Sequence, residues 1–118
     1  MAGMRVLIVD DHEGFLAAAT ALLTASGFEV VGSALDGESA VAGVRSHRPD
    51  LVVVDIQLPG IDGVQVAYRL AALDDPPEVI LVSSREDAGT EPRVLAAPTR
   101  GFIAKRDLTA EAVAALLR

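Results

Sequence analysis

Short runs of β-branched and aliphatic residues alternate with amphipathic stretches along the chain, and this alternation constrains the fold more than any other feature. Three runs are almost continuously apolar, at residues 6–9, 51–54 and 79–82. Such runs are typical of strands buried on both faces of a parallel sheet. Two further segments, 28–31 and 102–104, predict an edge strand and a short last strand.

Helical patterns fill the segments between these strands. The first helix shows one apolar face at helical spacing, made of Phe15, Ala19, Leu22 and Leu23. Gly27 and Pro49 mark the ends of the first two helices, and Asp62 and Thr109 can cap the third and fifth. The chain therefore predicts five β-α units, which implies a three-layer α/β sandwich with right-handed crossovers.

The fourth helix is the irregular part of this pattern. It belongs between residues 88 and 100, where Pro92 and Pro98 leave only a short window. Proline is tolerated in a first helical turn, whereas one further along ends or kinks the helix. We expect a short, shifted or poorly ordered fourth helix.

Length and composition limit the classes of protein to consider. The 118 residues are the size of one domain, and the absence of cysteine excludes disulfides and thiolate metal sites. A net charge of −7 argues against nonspecific nucleic-acid binding, which needs a basic surface. Neither a membrane-length apolar run nor a signal-peptide pattern occurs. We expect a soluble cytoplasmic domain without membrane contact.

Polar residues of one particular set follow the predicted strands. They are Asp10 and Asp11 after the first strand, Asp55 at the end of the third, Ser83 and Ser84 at the end of the fourth, and Lys105 after the fifth. A single Asp in such a place is commonly a turn or cap residue. The carboxyl ends of parallel strands share one edge of the sheet, where ligands bind in open α/β folds. The joint pattern therefore indicates a site.

The chemistry of that site follows from its charges. Three carboxylates close together repel one another unless a cation intervenes. Oxygen ligands without His or Cys suit a hard cation, and Mg²⁺ fits best. A carboxylate can itself act as a nucleophile and form an aspartyl phosphate. Mg²⁺ and Lys105 would neutralise the phosphoryl oxygens, and the hydroxyl of Ser83 could hydrogen-bond another.

Four motifs in order resemble the receiver domain of bacterial two-component response regulators, over nearly the whole chain. They are Val9-Asp10-Asp11, then Val54-Asp55 with Leu58-Pro59-Gly60-Ile61-Asp62-Gly63, then Val82-Ser83-Ser84, and Gly101-Phe102-Ile103-Ala104-Lys105. The resemblance implies a flavodoxin-like (βα)5 fold with a parallel five-stranded sheet of order 2-1-3-4-5. It also implies a signalling switch, not an enzyme beyond its own phosphorylation and dephosphorylation.

The resemblance assigns roles residue by residue. Asp55 would be the phosphoacceptor, and Lys105 would pair with the phosphoryl group. The Mg²⁺ ligands would be Asp10, Asp11, Asp55 and the backbone carbonyl of Gln57. Ser83 and Phe102 would be the residues that change position on phosphorylation. Phe102 is equally well explained as a half-buried strand residue.

Partners also follow from the resemblance. A sensor histidine kinase would donate the phosphoryl group, and the face formed by the fourth helix, fifth strand and fifth helix would carry homodimer or effector contacts. His12 and Arg48-Pro-Asp50 resemble receivers that precede helix-turn-helix DNA-binding domains. We expect residues 1–118 to be one receiver domain, either stand-alone or excised, without an effector domain and without direct nucleic-acid contact.

Two other functions are open at this point. A Mg²⁺-dependent phosphatase acting through an aspartyl phosphate usually carries a second acid two residues after the nucleophile, where this chain has Gln57. A binding module that has lost phosphorylation is favoured by the broken fourth helix and disfavoured by the intact acid set.

Overall fold

Strands and helices alternate as the sequence predicts in the computed structural model, which describes residues 3–118. The strands within this range are β1 (Arg5–Val9), β2 (Glu29–Ala34), β3 (Leu51–Asp55), β4 (Glu78–Ser83) and β5 (Gly101–Ala104). The α-helices are α1 (Glu13–Ala25), α2 (Gly37–His47), α3 (Gly63–Ala71), α4 (Pro92–Leu95) and α5 (Ala110–Leu117), with 3-10 helices at Glu86–Thr90 and Lys105–Asp107.

The five strands form one parallel sheet in the order β2-β1-β3-β4-β5. This order confirms the predicted flavodoxin-like fold. β2 is an edge strand, as expected, but it begins at Glu29 and continues to Ala34. The predicted segment at 28–31 thus begins slightly early, because Phe28 is buried ahead of the strand and its apolar side chain extends the pattern, and it ends before the last residues of β2.

The central strands are buried on both faces because helices cover both sides of the sheet. Leu7 and Val9 of β1 join one apolar cluster with α2, α3 and α4, whereas Val6 and Ile8 join the other with α1 and α5. This two-sided burial explains why the strands have nearly continuous apolar sequences. It also holds the carboxyl ends of the strands in a fixed arrangement.

Side-chain caps start the helices where the sequence predicts them. The Asp62 side chain accepts a hydrogen bond from the Gln65 backbone N–H, and the Gln65 side chain accepts one from the Asp62 backbone N–H. The two bonds form a capping box. Thr109 caps α5 through the Ala112 N–H. Gly27, at φ 96°, follows the end of α1 in a conformation that glycine adopts easily.

The fourth helix is short, as predicted, with only the four residues Pro92–Leu95. Pro92 occupies the first helical position, where its missing N–H costs no hydrogen bond. The 3-10 helix Glu86–Thr90 precedes it. Within residues 3–118, no helix is both long and apolar enough to cross a membrane.

Candidate functional site

Three carboxylates meet at the carboxyl edge of the sheet. Asp10 and Asp11 follow β1 directly, and Asp55 is the last residue of β3. One oxygen from each lies within 4.8 Å of the others. Asp10 is 0% exposed and Asp55 is 5% exposed, whereas Asp11 faces solvent. The parallel pairing of β1 with β3 places these strand ends side by side, so the predicted acid cluster is present.

Asp10 is the most deeply buried of the three acids. Its Oδ1 accepts a hydrogen bond of 2.8 Å from the backbone N–H of His12. Lys105 Nζ lies 2.6 Å from Oδ2 and forms an ion pair with it, although the contact does not have hydrogen-bond geometry. Among the described residues none donates to this buried oxygen, which is unusual because buried polar atoms are normally hydrogen-bonded.

Asp55 has a partner for each oxygen. Lys105 Nζ donates to its Oδ2 at 3.3 Å, and the Gln57 backbone N–H donates to its Oδ1 at 3.3 Å. Burial raises the pKa of Asp55, and the neighbouring charge of Asp10 raises it further. Lys105 and Gln57 oppose this shift only in part. The carboxyl group is therefore held where its negative charge is undercompensated.

Lys105 provides the positive charge of the site. It directly follows β5, and its side chain is 13% exposed. Its ammonium group contacts Asp10 and Asp55 and also lies 4.5 Å from the centroid of the Phe15 ring. The sequence predicted the place of Lys105 but not the aromatic contact, because helical spacing identified Phe15 only as a core-facing residue.

The acid cluster fits a hard divalent cation. Its donor atoms are all carboxylate oxygens, which Mg²⁺ prefers, and the buried Asp10 Oδ2 lacks the hydrogen bond that such an atom needs. A cation would also relieve the repulsion that raises the pKa of Asp55. Gln57 is exposed in the loop after β3, and the role of its carbonyl stays a prediction.

Ser83 and Phe102 lie on the strands beside this cluster. Ser83 ends β4, the neighbour of β3, and is 1% exposed; its Oγ accepts a hydrogen bond of 3.0 Å from the Arg85 N–H. Phe102 on β5 is half-buried against the cluster that contains Ala88. Both locations are compatible with the predicted switch roles, which stay predictions.

The loop after Asp55 depends on Gly63, which the sequence analysis included in a motif without giving it a structural role. A Cβ at Gly63 would lie 2.3 Å from the backbone oxygen of Asp55. The Gly63 N–H also donates to the carbonyl of Ile56. The start of α3 thus packs directly on the end of β3, and Gly63 itself is the sequence signal of this contact.

Comparisons with known proteins agree with this arrangement. A family model described as the response regulator receiver domain matches residues 6–117. Transcriptional regulatory protein PrrA of Mycobacterium tuberculosis is 39% identical over 117 residues, which cover 97% of this chain and 50% of PrrA. The chain spans about half the length of the curated relatives it matches.

Solved structures show the same fold. The signal receiver domain of NarL from Mycobacterium tuberculosis is 32% identical, with a TM-score of 0.85 and coverage of 99% of this chain and 95% of that one. A chain of the CheX–CheY–BeF3–Mg²⁺ complex from Borrelia burgdorferi is 29% identical, with a TM-score of 0.81 and coverage of 98% and 87%. With the family match spanning nearly the whole sequence, the chain belongs to the response regulator receiver domains.

Proposed function

We propose that Asp55 accepts a phosphoryl group and that this domain is a phosphorylation-dependent signalling switch. The observation that carries the proposal is the contact of Asp55 with Lys105 and with the acid pair at one sheet edge. A phosphoacceptor needs a nucleophilic oxygen beside positive charge, and Lys105 places that charge next to Asp55.

The transfer is a displacement at phosphorus. An Asp55 carboxylate oxygen forms the new P–O bond while the bond from phosphorus to the donor breaks, and the donor keeps the bonding electron pair. With acetyl phosphate the leaving group is acetate, and with a phosphohistidine it is the imidazole nitrogen. Such transfers depend mainly on positioning and on neutralising the phosphoryl oxygens. Lys105 supplies one neutralising charge at Asp55.

Asp10, Asp11 and Asp55 would hold Mg²⁺, with the Gln57 carbonyl as a further ligand. The bound ion would supply a second positive charge to the phosphoryl oxygens. Asp10 Oδ2, which is buried without a hydrogen-bond donor among the described residues, supports this assignment, as does the Mg²⁺ and BeF3 complex of the Borrelia relative. His12 contributes its backbone N–H, which fixes the other Asp10 oxygen.

Phosphorylation would be read out through β4 and β5. Ser83 would exchange its hydrogen bond with Arg85 for one to the phosphoryl group, and Phe102 would change rotamer with it. Receiver domains act with histidine kinases and effector domains, and we propose a kinase phosphohistidine as the donor. A groove of about 500 Å³ between β5 and α5, lined by Phe102, Ala112 and Leu116, supports the predicted partner face.

Intact-mass spectrometry after treatment with acetyl phosphate and Mg²⁺ tests the proposal. We expect the wild-type protein to gain one phosphoryl group, and Asp55→Asn to gain none. EDTA should prevent the gain in the wild-type protein. Asp75→Asn, which removes an exposed carboxylate remote from the cluster, is the matched control and should behave like wild type.

Two outcomes would contradict this function. An unchanged wild-type mass would leave the domain as a constitutive binding module. An equal gain in Asp55→Asn would move the acceptor to another residue. Continuous hydrolysis of a small phosphomonoester would instead favour the phosphatase alternative.

A further inference from the structure

The Phe15 ring lies next to the ammonium group of Lys105. Nζ is 4.5 Å from the ring centroid, within the range at which the negative face of an aromatic ring attracts a cation. Lys105 is 13% exposed, so water only partly screens this attraction. The contact joins the first turn of α1 to the end of β5, two elements far apart in the chain.

The ring and the ammonium group are held in different ways. Phe15 packs against the apolar cluster that α1 and α5 form with the sheet, so its position follows from the core. Lys105, in contrast, carries its charge on a flexible four-carbon stem. The ring can therefore help to define where the ammonium group rests.

Two carboxylates compete with the ring for the same cation. Nζ lies 2.6 Å from Asp10 and 3.3 Å from Asp55, both of which belong to the candidate Mg²⁺ site. A divalent ion held by those acids would repel the ammonium group and weaken its attraction to Asp10. The ring would still attract the ammonium group, because it is neutral and does not bind the ion.

Packing alone does not require an aromatic ring at this position. The same cluster takes Leu16, Leu22 and Leu23 from α1. An aliphatic residue would fill the space beside the core but would offer no π face to Lys105. The aromatic character of Phe15 is the feature that the packing leaves unexplained.

We propose that Phe15 is a positioning residue for Lys105, holding its ammonium group beside Asp55 when the acid cluster binds its cation. The inference rests on the proposed phosphoryl-accepting function. Phe15 does not touch the reacting atoms; it acts through Lys105. Loss of the ring should leave the fold and the acid cluster in place and weaken the hold of the site on a phosphoryl group.

The test compares Phe15→Leu and Phe15→Tyr with Leu22→Ala, which loses packing in the same cluster and has no aromatic ring to offer Lys105. Two quantities are measured: the affinity for BeF3⁻ in saturating Mg²⁺, and the proton shifts of the Lys105 ε-methylene group in metal-free protein. We expect Phe15→Leu to bind BeF3⁻ about three- to tenfold more weakly, the size of one partly desolvated cation–π contact. Phe15→Tyr should stay within about twofold of wild type.

The methylene shifts report the contact itself, because an aromatic ring displaces the resonances of protons above its face. Phe15→Leu should move the Lys105 ε-protons downfield, whereas Phe15→Tyr and Leu22→Ala should leave them close to wild type. In a Lys105→Met background, the Phe15→Leu effect on BeF3⁻ affinity should disappear, since the residue through which Phe15 acts is gone.

The outcomes separate this inference from the proposed function. If the wild-type protein binds no BeF3⁻, the proposed function is wrong and the inference falls with it. If the wild-type protein binds BeF3⁻ but Phe15→Leu weakens it no more than Leu22→Ala does, or leaves the Lys105 shifts unchanged, only the positioning role is overturned. Persistence of the Phe15→Leu effect in Lys105→Met would also overturn it.

Discussion

Asp55 is the residue whose negative charge most clearly destabilises the metal-free fold. Its folded pKa is raised above the ordinary 3.8 by burial and by Asp10, so the folded protein binds this proton more tightly than the unfolded chain. The resulting stabilisation is complete below the unfolded pKa and is lost as the pH rises through the folded pKa. Asp55→Asn should therefore unfold at a higher temperature than wild type near neutral pH, with the gap closing towards about pH 4.

Thermal unfolding in EDTA, followed by circular dichroism from about pH 4 to about pH 8, checks this expectation. Asp75→Asn removes the same formal charge from an exposed position and should track wild type throughout. If the unfolding temperatures of Asp55→Asn and wild type differed by the same amount at every pH, the difference would come from packing or hydrogen bonding and not from ionisation of Asp55.

The sequence was sufficient to locate the charged residues of the site and insufficient for their apolar support. Asp10 and Lys105 directly follow strands and Asp55 ends one, and parallel topology alone brings such positions to one edge. Phe15 could not be found in this way, because its contact depends on how α1 sits over the sheet and on the path of the Lys105 side chain. The spacing of apolar residues identifies the buried face of a helix but not the residues that this face contacts.

The connection from β3 to α3 leaves no space for a side chain at its glycine, Gly63. A Cβ at Gly63 would meet backbone atoms of Asp55 and Ile56, and backbone cannot rotate away as a side chain can. We expect Gly63→Ala to lower the free energy of unfolding by about 2–3 kcal/mol through this overlap. Urea denaturation measures the loss.

Gly14→Ala is the matched control for Gly63→Ala. Gly14 lies in the first turn of α1, and a Cβ there would meet no atom within 4 Å. Alanine is the better helix former, so this variant should be neutral or more stable by up to about 1 kcal/mol. Similar losses of unfolding free energy in both variants would show that the overlap at Gly63 is not the cause of the loss.

The 3-10 helix Glu86–Thr90 holds Phe102 in its present position. A Cβ at Gly89 would lie 2.5 Å from the Phe102 ring, so Gly89→Ala must displace either the ring or the 3-10 helix. We expect altered Phe102 ring resonances in nuclear magnetic resonance spectra and a loss of about 1–3 kcal/mol of stability. Ring resonances identical to those of wild type would contradict the contact.

The short α4 was predictable, but the 3-10 helix before it was not. Pro92 fixes the start of α4 and keeps Glu91 extended, at φ −65° and ψ 133°, so the two helical segments cannot fuse. The segment Glu86–Thr90 has no apolar periodicity, and its conformation depends on Ala88 packing into the core and on the space beside Gly89. Local sequence does not predict such tertiary contacts.

At the scale of the whole molecule, the position of the site depends on both apolar clusters. Val9 leads into Asp10 from one apolar cluster, and Val53 of the opposite cluster lies two residues before Asp55. The acids are therefore held at close range by burial on both sides of the sheet. Any ligand that binds the assembled acids, but not the unfolded chain, must stabilise the entire domain.

Mg²⁺ should accordingly raise the free energy of unfolding, by about 2.7 kcal/mol at a free concentration one hundredfold above its dissociation constant. Urea denaturation at increasing Mg²⁺, with ionic strength held constant by NaCl, measures this gain. Asp11→Ala removes an exposed member of the cluster, so it should fold normally while losing most of the gain. Equal stabilisation of wild type and Asp11→Ala, or of wild type by NaCl alone, would show that the acids gather for structural reasons and not around a cation.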